Sequence, residues 1–276
     1  VAARLIQALP RSDSVARAEV AGPGFINFTL AGGAKTGIVS AVLKAAGDYG
    51  RGRVEGRPRV QVEFVSANPT GPLHVGHGRG AAYGASLASL LSFAGFDVVR
   101  EYYVNDAGRQ MDILGVSTWL RYLELFDEYV PFPPNAYQGG YVREMAEQIK
   151  AAHQDRYVHP AAAVLACVPP APAPREDGSW TAEEKEQLET RLDGLIAAAK
   201  DLLGEEWAYV HQHALTEQLA DCRADLEEFG VHFDVWFSER SLYDTGMVGK
   251  AVEELERRGH IYVQDGAKWF RSTAFG

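Results

Sequence analysis

The chain has 276 residues, 46% hydrophobic and 23% charged, with a formal net charge of −10; that length can bury one large core or two smaller ones, and the acidic balance gives no support to bulk nucleic-acid binding, which shows as excess Lys and Arg. No apolar run reaches the ~18 residues that a membrane helix needs, and no signal-like segment opens the chain, so no membrane partner is expected. The two cysteines, Cys167 and Cys222, have neither metal-ligand spacing nor disulfide-scaffold density and predict a reducing, cytoplasmic setting.

Residues 1–50 predict a small unit of their own. Val15 to Val20 and Phe25 to Leu30 read as two strands joined by Gly22-Pro23-Gly24, a turn signal. Lys35 to Ala46 reads as a helix closed by Gly47. Gly50 to Pro58, rich in Gly and Arg, is the expected linker. Arg51, Arg53, Arg57 and Arg59 cluster there, and their plain reading is a solvated loop.

From Val60 the pattern becomes strand, helix, strand, helix. Val60 to Val65 and Phe96 to Tyr103 are the strands; Gly78 to Ala94 and Gly108 to Glu128 are the helices. One long helix between two strands predicts a right-handed crossover and a parallel sheet. Gly76, Gly80, Gly84 and Ala88, four residues apart, predict a smooth ridge for close approach. Pro131, Pro133 and Pro134 then break the helix, and Tyr141 to His153 predicts another. The Ala/Pro-rich stretch from His159 to Pro174 predicts a flexible surface insertion without regular structure. A long helical region from Thr181 to about Phe229 follows, with a break at Gly204. Val231 to Phe237 predicts a strand and Asp244 to Arg258 a helix. Ile261 to Val263 with Lys268 to Ser272 predicts a hairpin around Asp265-Gly266.

The most informative segment is Ala67 to His77, Ala-Asn-Pro-Thr-Gly-Pro-Leu-His-Val-Gly-His. It places two histidines where a strand hands over to a helix N-terminus, whose unpaired N–H groups and positive dipole end favour phosphates. A zinc reading lacks a third ligand at a usual spacing, and purely structural histidines are the bland reading. Contact with a nucleotide phosphate is the best supported of the three, because Asn68-Pro69-Thr70-Gly71-Pro72 predicts a rigid, exposed entry loop.

The run from Val62 to Arg79 resembles the HIGH-motif segment of class I aminoacyl-tRNA synthetases, with His-Val-Gly-His at 74–77. Phe64 to Pro72, Tyr102 to Gln110, Trp236 to Tyr243 and Trp269 to Thr273 narrow the resemblance to the arginyl-tRNA synthetases. The resemblance implies an α/β fold: a Rossmann-type parallel-sheet catalytic domain with a helical insertion and a small α+β N-terminal unit. It implies residues 1–55 as the end of a tRNA-contacting additional domain with its linker, and 56–130 as the first half of the catalytic domain. Residues 131–229 would be the insertion and helical region, and 230–276 the continuation of the catalytic domain.

The implied activity is arginine–tRNA ligase, which activates L-arginine with ATP and transfers it to tRNA(Arg). The nucleotide would bring Mg2+, and the family's dependence on bound tRNA makes the RNA a co-activator. By the resemblance, His74 and His77 are catalytic, and Pro72, His74, Gly76 and His77 meet ATP, with Gly76 leaving room for the adenosine. Glu63, Ser66, Asn68, Asp106 and Gln110 would face arginine, although Glu63 has a solvated or Arg59-paired alternative and Asp106 could instead cap the helix near Gly108. Phe25 and Asn27 would meet tRNA, with core packing the competing reading, more so for Phe28 than for Phe25. No metal ligand set of the protein's own is expected, and nothing demands more than a monomer.

Nothing in the chain matches the Lys-Met-Ser-Lys loop of a complete class I site; Val248-Gly249-Lys250 sits in a predicted helix. The loop is expected beyond Gly276, so the chain reads as a portion of a longer protein, inactive or weak alone. Two alternatives stay open: a non-catalytic truncated paralogue that binds tRNA or a partner, and another His-x-Gly-His nucleotidyltransferase.

Overall fold

The computed structural model describes residues 1–173 and 178–276. These form two compact units, one of Val1–Pro58 with Ser92–Phe96, the other of Arg59–Leu91 with Asp97–Gly276. Pro174, the last residue of the Ala/Pro-rich stretch, lies outside the described residues.

In the first unit a short helix α1 (Ala2–Ala8) precedes an antiparallel hairpin, β1 (Val15–Ala21) and β2 (Phe25–Leu30), and helix α2 (Ala34–Ala45) follows. The hairpin turn needs the left-handed region at Gly22 (φ 53°) and Gly24 (φ 144°), which glycine enters at least cost. Asn27 pairs with Glu19 and Phe25 with Ala21 across the ladder. Phe25 is 71% and Phe28 51% exposed in this chain.

The second unit carries a three-stranded parallel sheet in the order β3–β4–β5, from β3 (Arg59–Glu63), β4 (Asp97–Val104) and β5 (Val235–Ser238). Helix α3 (Val75–Ala94) makes the first crossover. Its packed stripe is Ala81, Gly84 and Ala88, all buried, rather than the four-residue ridge read from the sequence. A β-carbon on Gly84 would lie 2.2–2.5 Å from the Phe64 side chain, whereas one on Gly80 would meet nothing within 4 Å. The helix turns about 100° per residue, so a strict four-residue spacing drifts off the contact face.

Helix α4 (Arg109–Glu124) follows β4 and is buried continuously from Ile113 to Leu123. A helix buried on all sides must be surrounded, and its buried Ser117 and Thr118 hydroxyls are satisfied within the helix by Ile113 O and Leu114 O. Here α5 (Gly140–His153), α6 (Ala161–Leu165), α7 (Ala182–Leu203) and α8 (Trp207–Glu228) supply its cover. The Thr181 hydroxyl and the Glu184 side chain form a capping box at the start of α7, and Gly204 (φ 55°) ends it. The Ala/Pro-rich stretch is not the structureless insertion expected: Pro160 precedes α6, and Val164 is fully buried in the helical core. Proline at a helix start is compatible with helix, and three alanines supply the propensity.

After β5 come α9 (Arg240–Asp244) and α10 (Met247–Arg257), then the hairpin β6 (Ile261–Gln264) and β7 (Ala267–Phe270). The helix expected from Asp244 to Arg258 is α10, which starts only at Met247 because Gly246 before it takes a left-handed conformation (φ 68°); the short α9 precedes the expected span. Val248-Gly249-Lys250 lies inside α10.

Candidate active site

The sequence from Phe64 to Leu73 leaves the end of β3 as a loop rather than a helix, and β4 dictates its shape. Val65 (φ 65°) and Ser66 (φ 41°) both adopt positive φ, a costly conformation for a β-branched residue. Three hydrogen bonds hold it there. Phe64 N–H donates to Glu101 O at 3.3 Å, Tyr103 N–H donates to Ser66 Oγ at 3.0 Å, and the buried Tyr102 hydroxyl donates to Ala67 O at 3.0 Å. Stacking of Tyr102 on Trp236, centroids 4.3 Å apart, fixes that hydroxyl from β5. Further on, the Tyr141 hydroxyl donates to Thr70 O at 2.7 Å. Burial pushes the Tyr141 hydroxyl up to about 12, which keeps it a donor. The entry loop is thus pinned from β4 and from α5.

The two histidines follow at the opening turn of α3. His74 O accepts from the N–H groups of His77 (2.8 Å) and Gly78 (3.1 Å), so His74 starts the helical ladder. The two imidazoles stack, centroids 3.8 Å apart and planes 22° from parallel. Gly76 N–H donates to His74 Nδ1 at 3.1 Å, and His74 N–H donates to His77 Nδ1 at 3.3 Å. An acceptor Nδ1 assigns the ring proton of the neutral imidazole to Nε2 in both residues. Each then offers an Nε2–H donor beside the positive helix terminus. The His77 pKa is lowered, first by desolvation and then by the neighbouring His74.

A polar network lines the carboxyl ends of β4 and β5, the edge where open α/β sheets bind ligands. The side-chain amides of Asn68 and Asn105 meet at 2.9 Å. With its NH2 turned away from Asn68, Asn105 donates to Glu239 Oε2 at 2.6 Å and Ala107 O at 3.2 Å. Asp106, 6% exposed, accepts at Oδ1 from Arg240 N–H (2.8 Å) and at Oδ2 from the Ser238 hydroxyl (2.5 Å). It therefore caps a helix, though not the one expected: α4 begins after Gly108 without a side-chain cap. A cleft of about 440 Å3 opens beside it, lined by Gly108, Glu239, Arg240 and Tyr243.

Of the residues the sequence singled out, the structure brings together Ser66, Asn68 and Asp106 with the ends of β4 and β5, and His74, Gly76 and His77 with one another. Pro72 is exposed on the entry loop. Glu63, exposed at the end of β3, is not paired with Arg59, whose partner is Asp97 at 3.9 Å. Gln110 accepts from the Tyr137 hydroxyl at 2.5 Å. Sequence reasoning passed over Glu239 and Tyr103, although the Trp236–Tyr243 run that contains Glu239 was in view. The Tyr103 hydroxyl is pushed up by desolvation and then by the adjacent Glu239 carboxylate. Among the described residues no group of three or more His, Cys, Asp or Glu is arranged to hold a metal ion.

The family model described as tRNA synthetases class I (R), catalytic domain, matches residues 38–130, and the arginyl tRNA synthetase N terminal domain matches residues 1–30. The arginine–tRNA ligase of Dechloromonas aromatica is 65% identical over 277 residues, covering 100% of this chain. That of Azoarcus is 66% identical over 278 residues, again across 100% of the chain. The chain belongs to the arginyl-tRNA synthetase family. It spans 46% of the length of those two relatives, about half.

Solved arginyl-tRNA synthetases carry the same architecture. A Campylobacter jejuni structure described as an arginyl tRNA synthetase candidate superposes with a TM-score of 0.64 at 27% identity, over 87% of this chain and 43% of that one. The Thermus thermophilus arginyl-tRNA synthetase shares the fold at a TM-score of 0.50 and 22% identity, over 100% of this chain and 39% of that one. No helix among the described residues is long and apolar enough to cross a membrane.

Proposed function

We propose that this chain carries the adenylate-forming half of an arginine–tRNA ligase active site, in a cytoplasmic protein acting on ATP, L-arginine and tRNA(Arg). The observation that carries this reading is the stacked His74–His77 pair at the start of α3 in a chain of arginyl-tRNA synthetase sequence. The arginine carboxylate attacks the α-phosphorus of ATP; the new bond is carboxylate O–P, and pyrophosphate leaves with the electron pair of the broken P–O bond. Negative charge spreads over the phosphoryl oxygens in that transition state. Donors already in place stabilise it without reorganisation, and His74 and His77 offer theirs at Nε2.

Asn68, held against Asn105, orients the amino acid, and the Glu63 carboxylate suits its guanidinium or ammonium. Ser66 acts through the loop, since its Oγ already accepts from Tyr103. Asp106, with both oxygens engaged, supports the edge rather than gripping arginine alone. Mg2+ arrives with the triphosphate. Phe25 and Asn27, exposed on β2, offer a stacking face and a hydrogen-bonding amide to RNA.

Arginine-dependent ATP–pyrophosphate exchange, with and without tRNA(Arg), tests the reading on this chain and on a version extended toward its relatives' length. The extended chain should exchange only with arginine and tRNA present, and His74→Ala should abolish it. The 276-residue chain alone should exchange weakly or not at all. Exchange by the extended chain with other amino acids in place of arginine would overturn the proposal.

A further inference from the structure

Within the first unit, residues 51–54 are locked to the segment 92–95 by two glycines. Gly52 N–H donates to Phe93 O at 2.9 Å, and a β-carbon on Gly52 would sit 2.3 Å from Ala94 O. Gly95 (φ +107°) approaches so closely that its β-carbon would lie 2.9 Å from both Gly52 O and Val54 N. Only residues without side chains allow two backbones this near. The linker is solvated, as its sequence predicts, but its backbone is also clamped, and it frames a cleft of about 470 Å3 lined by Arg51, Arg53, Arg57 and Ser92. Arg51 is held by Asp48 (2.7 Å) and by the Phe93 ring, 5.3 Å from its centroid. Arg53 and Arg57 have no ion pair or side-chain hydrogen bond among the described residues, and both are exposed. The sequence from 51 to 59 holds four arginines and one carboxylate, Glu55, in a chain whose net charge is −10.

We propose that this cleft binds phosphodiester groups of an RNA backbone, so that the arginine loop is a tRNA contact in addition to the exposed face of β2. The proposal rests on tRNA being the substrate, as read above. An open, solvated setting gives a single small anion little, because water and salt screen each pairing. A polyanion gains at every arginine it meets, through counterion release. Such contacts set position rather than sequence choice.

The test is the binding of tRNA(Arg) to the full chain and its extended version, followed by fluorescence anisotropy from about 50 to about 200 mM salt. Each phosphate-contacting arginine contributes about one to the slope of log affinity against log salt. R53Q/R57Q should lower that slope by about two and weaken binding at low salt, while R53K/R57K keeps the slope. If the double variant does not fold, R53Q and R57Q singly should each lower it by about one. An unchanged slope in the Gln variants overturns the proposal. So does an inorganic phosphate titration in which the variants lose phosphate binding while tRNA binding keeps its slope, since the cleft would then hold a free anion. Absence of tRNA binding by the unaltered extended chain would sink the ligase reading itself, and this contact with it.

Discussion

The imidazole of His74 occupies the volume that a β-carbon on Gly76 would need: that carbon would lie 2.8 Å from His74 Cε1 and 3.0 Å from Nδ1. The same ring nitrogen accepts the Gly76 N–H. The glycine of His-Val-Gly-His therefore has a reason inside the protein, beyond any room it leaves for a nucleotide. It lets the first histidine lie over its own helix start and stack on the second.

Gly76→Ala should push the His74 ring off that stack while leaving the fold intact, because both positions are exposed. ATP–pyrophosphate exchange by the extended chain should fall by about 10²-fold, the scale of a roughly 1 Å misplacement. The melting temperature should hardly move, since surface substitutions cost within about 0.5 kcal/mol. Unchanged exchange would separate catalysis from the stacked geometry.

His77 should titrate below its ordinary value of 6.5, because desolvation and the adjacent His74 both disfavour its charged form. A triphosphate nearby favours the charged form, so ATP should raise the midpoint and draw a proton from solution under mildly acid conditions. His74→Ala removes the second cause and should raise the free midpoint toward 6.5. NMR titration of the His77 Cε1–H reads all three. A free midpoint at or above 6.5 would contradict the geometry.

Asp106→Ala would leave the half-buried Ser238 hydroxyl and the Arg240 N–H without their acceptor. The expected cost is about 1–3 kcal/mol, the range for an orphaned buried partner, with Asp106→Asn costing less. Urea unfolding measures it. Hydrogen exchange should show α9 opening first, since Asp106 is the side chain capping it.

Two core substitutions test the packing. Gly84→Ala drives a methyl into the Phe64 side chain, 2.2–2.5 Å away, and should cost about 1–3 kcal/mol as overpacking. Trp119→Ala should cost about 3–5 kcal/mol, because Trp119 is fully buried and its Nε1 donates to Tyr157 O at 2.9 Å. Equal, negligible losses in urea melts would mean that the helical core is not the one described.

His211 ties stability to pH. It is 6% exposed, and burial lowers its pKa, with Asp112, 3.7 Å away, opposing. The folded pKa lies below the unfolded 6.5, so the neutral form's contribution is whole above 6.5 and is lost as pH falls through 6.5 toward the folded value. Thermal melts should decline over that window, and His211→Gln should flatten the decline.

Local signals were legible wherever a neighbour in sequence decides the conformation. The Gly22–Gly24 turn, the helix break at Gly204, the strand-to-helix handover before His77 and the Asp265–Gly266 hairpin all follow from backbone preferences of the residues present. The motif at 64–77 and its companions at 102–110 and 236–243 pointed to the family, because those runs are specific along the chain. Tertiary structure decided everything that depends on what lies across a gap. Residues 161–165 became a helix with Val164 buried because an apolar surface on α4 and α7 was there to cover. Asp106 caps α9, 134 residues further along the chain, and Glu239 reaches Asn105 because β5 pairs with β4. The clamped arginine loop depends on Gly95 meeting Gly52. Backbone preference acts between neighbours, so a sequence displays it; packing and hydrogen-bond partners act across space, and only the folded chain determines which residues those are.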